Sequence, residues 1–322
     1  MVKGCDAIGR RSRSHPQPSG KRITLQSRDL LWLQKLHEHG PLPSSFLLEY
    51  CKATHTNERR AKDRLTNLFH ENNTPDQGFY LTRPAQQFRT ADSRYNQLVY
   101  DVTKSGRKAL ERERPGVVTA PTNTGHWVHK LMVACTCASI ELACRDREDV
   151  NYISGSTILQ RANAELGCSV TIKHVSNPQV LASELIPDAL FGLEYVGDHG
   201  QSYRFFALEA DRSTEPFETT NKSRKSFAKT LAQYRAYVEG GAYRDHLNLT
   251  APLLVLNVTN DKARKSKMLE MTAKHFPTGC SYMLYAHWRD FGTVFNPPEP
   301  KLDLLNGSWK RAGMDDLSIG SP

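Results

Sequence analysis

The feature that most constrains this chain is a Pro-, Gly- and Thr-rich stretch of low complexity at residues 115–125 (Pro115-Gly116, then Pro121-Thr-Asn-Thr-Gly125). Before it, apolar side chains recur at helical spacing and then in two strand-like segments. Beyond it, after one further helix, short apolar runs and alternations that suit strands appear, with helices between the later ones. Residues 115–125 are read as a linker between two modules, and 322 residues are enough to give each its own core. Charge divides at the same place. Residues 1–120 hold 21 Lys and Arg against 12 Asp and Glu, whereas residues 121–322 hold 22 of each, so the whole net charge of +9 lies in the first third. A basic module followed by a neutral one points to contact of the first with a polyanion. A solvated basic surface with no partner is the plain alternative.

Residues 1–21, rich in Arg, Ser, Pro and Gly, read as a disordered basic arm able to lie along phosphates without reading sequence. Residues 24–72 read as three helices. Thr24 or Ser27 is placed to cap the first, Ser44 or Ser45 the second, and Thr56 or Asn57 the third. On the third, Ala61, Leu65, Leu68 and Phe69 make the apolar stripe, and Arg59, Arg60, Lys62 and Arg64 lie mostly off it. Strand-like segments Gly78–Thr82 and Leu98–Thr103 then flank an excursion carrying Arg83, Arg89 and Arg94, and a helix begins near Lys104. Three helices followed by a ribbon is the order of a winged helix-turn-helix, here over residues 22–114. In such a domain the third helix enters the major groove of double-stranded DNA and the wing touches the backbone. Arg59, Arg60, Lys62, Arg64, Arg89 and Arg94 are the expected DNA contacts; a winged helix used for protein contacts is the alternative.

The second module, residues 126–295, opens on a mostly apolar helix at 126–145. Strands are expected at 169–174, 186–195 and 203–211, a helix at 223–239, a strand at 253–258, a basic helix at 262–275 and a strand at 281–287. Hairpins first and crossover helices later imply a mixed sheet flanked by helices, and an α+β chain overall. Residues 296–322 read as an irregular tail.

One constellation in this module can carry chemistry. Pro187-Asp188 is followed about twenty residues later by Leu208-Glu-Ala-Asp211. Alternation along a strand puts Glu209 and Asp211 on one face, and a hairpin can bring Asp188 beside them. Three clustered carboxylates are unfavourable without a cation or protonation, and such oxygen-rich sites suit Mg2+ or Mn2+, which activates water for phosphodiester hydrolysis. The alternative is a turn residue and two acids paired with Arg204 and Arg212. Lys225 and Lys229, four residues apart, would share a helix face with Gln233. His126 and His129 read as capping or surface groups, and Tyr234 and Tyr237 as packing residues.

Here the pattern resembles a known family. Pro187-Asp188 with Glu209-x-acid on the next strand is similar to the PD-(D/E)XK nuclease superfamily, as is the α-β-β-β-α-β order. The segment Leu208–Glu215, with a lysine-bearing helix ending in Gln233-Tyr234, resembles the replication-relaxation family of plasmids and other mobile elements, over roughly residues 22–290. That resemblance implies a winged helix before a PD-(D/E)XK-like domain, with Asp188, Glu209 and Asp211 holding Mg2+ or Mn2+. The superfamily's lysine, two residues past the motif glutamate, is Asp211 here; in some branches it has moved to the next helix, so the resemblance implies Lys229 as the electrostatic helper, ahead of Lys225 and Lys222, with Gln233 on that face able to position a ligand, and Glu141 on the first helix of the module, where some such nucleases place an extra acid, as a lesser candidate. A metal-dependent DNA endonuclease or nickase is the first functional expectation. An inactive nuclease-like accessory factor, or a transcriptional regulator, is the second. Double-stranded DNA is the expected partner, and a homodimer and replication or mobilisation proteins are further partners that this reading allows.

Other classes find no support. No apolar run reaches the roughly 18–20 residues of a membrane span, and the first twenty residues lack a signal-like apolar stretch. Seven cysteines without a CxxC pair suggest a reducing compartment and a cytoplasmic protein. There is no phosphate-binding glycine loop, nucleophile elbow or HExxH.

Overall fold

The computed structural model describes residues 11–54, 57–72, 78–116, 126–174, 177–198, 200–221, 224–291 and 296–322. These fall into two units, Met1–Ala120 with Phe295–Pro300, and Pro121–Val294 with Lys301–Pro322.

In the first unit the helical stripes become α1 (Ser27–His39), α2 (Ser44–Tyr50) and α3 (Glu58–His70). Their apolar faces meet in a core of Trp32, Leu33, Leu36, Phe46, Leu47, Leu65, Leu68 and Phe69, all buried. The cap of α1 is Gln26 rather than Thr24 or Ser27, because the Asp29 carboxylate reaches back to accept the Gln26 amide at 2.8 Å and closes a capping box. Asn57 caps α3, its Oδ1 accepting the Arg60 amide at 3.2 Å; Thr56 lies outside the described residues. A small antiparallel sheet of order β1 (Leu42–Pro43), β3 (Val99–Val102), β2 (Leu81–Thr82) follows the helices. β2 is shorter than the expected 78–82, since the edge strand pairs β3 at only two positions. α4 (Lys104–Glu113) packs so closely on this ribbon that a side chain at Gly106 would collide with the Tyr80 carbonyl.

Residues 11–21, expected to be disordered, are held against this unit. Arg11 donates to the buried Glu71 at 2.6 Å and to Asn67 Oδ1 at 3.0 Å, and Arg13 Nη2 donates to the Asn96 carbonyl at 2.8 Å. A carboxylate as deeply placed as Glu71 needs a cation, and the arm supplies it. Residues 1–10 of the expected arm lie outside the described residues, as do 117–125 of the expected linker.

The second unit is built on a seven-stranded mixed sheet. Its strands are β4 (Val150–Ser154), β7 (Ala189–Gly197), β8 (Gly200–Asp211), β9 (Leu253–Thr259), β10 (Met283–His287), β11 (Trp309–Arg311) and β12 (Met314–Leu317), in the order β12-β11-β10-β9-β8-β7-β4. β4, β7 and β8 are an antiparallel meander; β8, β9 and β10 run parallel; β11 and β12 return antiparallel. A helix α6 (Gly155–Ala162) and a separate antiparallel hairpin, β5 (Cys168–His174) and β6 (Asn177–Leu185), are inserted between β4 and β7. Parallel neighbours require crossovers. α7 (Phe227–Tyr234), a π-helical turn at Arg235–Glu239 and α8 (Ala242–Leu247) connect β8 to β9, and α9 (Lys262–His275) connects β9 to β10. β9 is buried at all seven positions, as a central parallel strand of sequence LLVLNVT should be.

α5 (Trp127–Arg145) precedes the sheet and packs against β4, β7 and β8. By length and composition it could cross a membrane, yet its residues from Leu131 to Cys144 are buried inside the unit. Each fully buried Leu, Ile or Met contributes roughly 1.5–3 kcal/mol, which accounts for its apolar character as a core helix. The segment after residue 296, expected to be irregular, contains α10 (Asp303–Asn306), β11 and β12. Its strands are three and four residues long, too short for alternation to reveal, and are fixed by pairing onto β10 and by the buried Trp309.

Candidate functional site

β8 carries the site because it is the junction of the sheet, antiparallel to β7 on one side and parallel to β9 on the other. Its register with β7 begins at Ala189–Leu208. Just before it, the Asp188 amide donates to the Leu208 carbonyl at 3.0 Å, and the Asp188 Oδ2 accepts the Ala210 amide at 2.8 Å. Pro187 has no amide to extend the ladder. The side chain of Asp188 therefore takes over from backbone pairing and is fixed beside the end of β8. Its Oδ1 lies 2.9 Å from His129 Nε2, near the start of α5. Burial disfavours the imidazolium of His129, but the hydrogen bond and charge of Asp188 outweigh it and raise the pKa.

Glu209 projects from β8 and is buried. Tyr234, on the last turn of α7, donates its hydroxyl to Glu209 Oε1 at 2.6 Å, and Lys225 Nζ stands 3.3 Å from Oε2. The same ammonium is 3.3 Å from Glu215. Burial, and then the charge of Asp188, push the Glu209 carboxyl up to about 7, against the opposing pull of Lys225 and Tyr234. Lys225 moves upward because the charges of Glu209, Asp188 and Glu215 overcome its own desolvation, so it is a firm cation. Burial and the neighbouring Glu209 raise Tyr234 well above the usual phenol range, which keeps it a hydrogen-bond donor. Together Asp188, Glu209 and Lys225 face a cavity of about 240 Å³, also lined by His126, His129, Asp211, Arg212, Glu215, Thr230 and Asn257.

Asp211 lines that cavity on the same side of β8, two residues on, but its charge is already matched. Arg264 of α9 grips it from Nε and Nη2, the shortest contact being 2.7 Å, and Ser213 donates its amide at 2.6 Å. Arg264 is itself buried, with its guanidinium stacked 4.0 Å over the Phe217 ring. The spacing that puts three acids on one cavity is thus real, and the pairing that sets Asp211 apart comes from a helix fifty residues downstream.

Lys225 lines the cavity; Lys229, at the start of α7, is not among its lining residues. The expectation of a shared helix face fails because α7 begins at Phe227, leaving Lys225 in the turn before the cap. Lys222 lies outside the described residues. Gln233 does not face a ligand position; it donates to Ser183 Oγ at 3.1 Å and the Glu184 carbonyl at 2.7 Å, tying α7 to β6. Glu141 is buried and not among the residues lining this cavity. His126 does cap α5, accepting the Val128 amide at 3.4 Å. Sequence reasoning places neither His129 nor Tyr234 in the site, yet both hydrogen-bond its acids. The one signal for Tyr234 is its place at the end of the helix that follows the acids.

In the first unit, Arg59, Arg60 and Lys62 are exposed on α3, with Lys62 paired to Glu58 at 2.5 Å. Arg64 turns inward, donating to the fully buried Asp29 at 2.5 Å and to the Thr24 carbonyl at 2.6 Å. Arg89 and Arg94 are exposed on the segment between β2 and β3, Arg94 lying 4.7 Å over the ring of Tyr95. Arg83 of the same segment is buried over Phe69 and donates to the Tyr100 hydroxyl at 3.0 Å.

The family model described as replication-relaxation matches residues 33–253. No curated protein and no protein of solved structure matches the chain.

Proposed function

Because this chain belongs to the replication-relaxation family, we propose that it acts on double-stranded DNA in the replication of a plasmid or other mobile element, and that its second unit hydrolyses phosphodiester bonds. The first unit is read as a winged helix that docks through Arg59, Arg60 and Lys62 of α3, with Arg89 and Arg94 of the β2–β3 segment on the backbone. The second is read as PD-(D/E)XK-like: an antiparallel meander, a crossover helix and a parallel strand, with acids at the start of β7 and the end of β8.

The observation that carries the catalytic reading is the convergence of Asp188, Glu209 and Lys225 on one cavity. The donor set suits a hard divalent cation, Mg2+ or Mn2+: two carboxylates share a pocket in which burial and mutual repulsion leave Glu209 short of positive charge. Asp188 and Glu209 would hold it; when bound, it supplies Lewis-acid activation of water and of the phosphoryl group. Tyr234 and His129 orient the two carboxylates. Lys225, rather than Lys229, is placed to stabilise charge that develops on the phosphate oxygens.

Supercoiled-plasmid nicking in Mg2+ or Mn2+ tests the reading, with Glu209→Ala as the control. Loss of nicking in the variant supports it; equal activity in both proteins, or none in either, refutes it. A second reading is favoured by the pairing of Asp211 with Arg264 and of Glu209 with Lys225: a nuclease-like scaffold that binds DNA without cutting. It predicts no Mn2+ binding that depends on Asp188 and Glu209.

A further inference from the structure

Across the ladder from Glu209, in register on the neighbouring parallel strand, is Asn257. In-register residues on adjacent strands project from the same face. Asn257 is 1% exposed and lines the cavity. Its Nδ2 donates to the Leu284 carbonyl at 3.3 Å, which fixes the amide, since the flipped form would set Oδ1 against that carbonyl. Oδ1 is buried and meets no donor. Above the same face, on α7, Thr230 is 4% exposed and also lines the cavity, and its Oγ1 too is buried without a partner. Buried polar atoms are satisfied in native proteins almost without exception, and leaving one unpaired costs about 1–3 kcal/mol. Two unsatisfied oxygens on residues that line one cavity with two carboxylates therefore call for an explanation.

The chemistry of these atoms narrows the ligand. An amide oxygen only accepts, so Asn257 Oδ1 needs a donor hydrogen or a cation. Amide and hydroxyl oxygens are ordinary partners of hard divalent cations, alongside carboxylates. Asp211, which spacing nominated as the third acid, is gripped by Arg264. The cavity's side-chain donors Lys225, Arg212, His126 and His129 make no hydrogen bond to Asn257 Oδ1 or Thr230 Oγ1.

We propose that Asn257, with Thr230 beside it, contributes its side-chain oxygen to the divalent-cation site of Asp188 and Glu209, in the position that spacing assigned to Asp211. The inference rests on the reading that Asp188 and Glu209 hold such a cation. It makes the site one of two carboxylates and neutral oxygens, with β9 as well as β7 and β8 contributing.

The experiment is Mn2+ binding to the full chain, by calorimetry or by electron paramagnetic resonance of free Mn2+, with no DNA present. Asn257→Leu, close in shape, is expected to raise the Kd by about tenfold or more, and Thr230→Val to raise it less. Asn257→Asp, which adds a charged oxygen at the same place, is expected to tighten binding. Mn2+ binding by the wild type that is lost in Glu209→Gln but unchanged in Asn257→Leu overturns the inference and leaves the proposed function standing. No binding by the wild type, or binding indifferent to Glu209→Gln, overturns both. Should Asn257→Leu fail to fold by circular dichroism, Asn257→Asp decides, and an unchanged or weakened affinity there overturns the inference.

Discussion

Replacing Glu209 by glutamine should make the second unit more stable while abolishing its proposed chemistry. Glu209 is 7% exposed, and its carboxyl is raised from 4.5 to about 7 by burial and the charge of Asp188. The folded-state pKa therefore exceeds the unfolded one. Below pH 4.5 both states are protonated and the group costs nothing. Between pH 4.5 and 7 the unfolded chain releases its proton while the folded chain keeps it, so stability falls through this window. Above pH 7 the full cost is present, at most about 3 kcal/mol for a shift of this size. By the same linkage it is below about 1 kcal/mol at pH 5. Glutamine cannot ionise, keeps the acceptor for the Tyr234 hydroxyl, and leaves Lys225 its pairing with Glu215. Urea unfolding at pH 5 and pH 8.5 should thus show Glu209→Gln gaining about 1–3 kcal/mol over the wild type at the higher pH and little at the lower. Mn2+ should narrow the difference at pH 8.5 by stabilising only the wild type. A variant no more stable than the wild type at pH 8.5, or a gain equal at both pH values, would refute the argument that charge is held there against its preference.

Two further outcomes are expected. In plasmid nicking, Lys225→Met should reduce the rate by about 100-fold, the scale of removing one electrostatic stabiliser, and Lys229→Met should stay within about twofold; the reverse order would return the helper role to α7. In the first unit, Arg59→Glu with Arg60→Glu should weaken duplex binding and flatten its salt dependence by about two phosphate contacts without lowering the melting temperature. Arg64→Ala should instead lower stability by about 1–3 kcal/mol in thermal or chemical unfolding, because it removes the closest cation from the fully buried Asp29 and leaves it only Arg28 at 3.7 Å and the Gln26 amide. A stable Arg64→Ala protein with selectively weakened DNA binding would contradict that division of labour.

Much of the architecture was legible because it rests on local pattern. The stripes of α1 to α4, the apolar run of β9 and the basic helix α9 are each decided by residues within one segment, and the expected 262–275 coincides with Lys262–His275. β4, β11 and β12 escape sequence reasoning because such short strands are stabilised by partners distant in the chain, such as Val150 with Tyr195 and Tyr285 with Lys310. The site divides the same way. Strand alternation and the Pro187-Asp188 break brought Asp188, Glu209 and Asp211 to one cavity on paper. Which acid is neutralised was invisible, since Arg264 sits 53 positions from Asp211 and nothing in the spacing links them. The expected shared face of Lys225 and Lys229 is lost to a helix boundary: had α7 begun two residues earlier, Lys225 would have stood on it. Arg64 looked like its neighbours Arg59 and Arg60 because a cation's destination is set by the buried carboxylate it meets.

The double grip on Asp188 has a practical corollary for anyone dissecting this protein. One oxygen of that side chain hems the margin of the sheet by receiving the Ala210 amide, and the other faces His129. Truncation to alanine would unravel the hem and discharge the anion in one stroke, making any inactivity impossible to attribute. Asparagine preserves the stitch and erases only the charge, so at this position the gentler substitution is the more informative one.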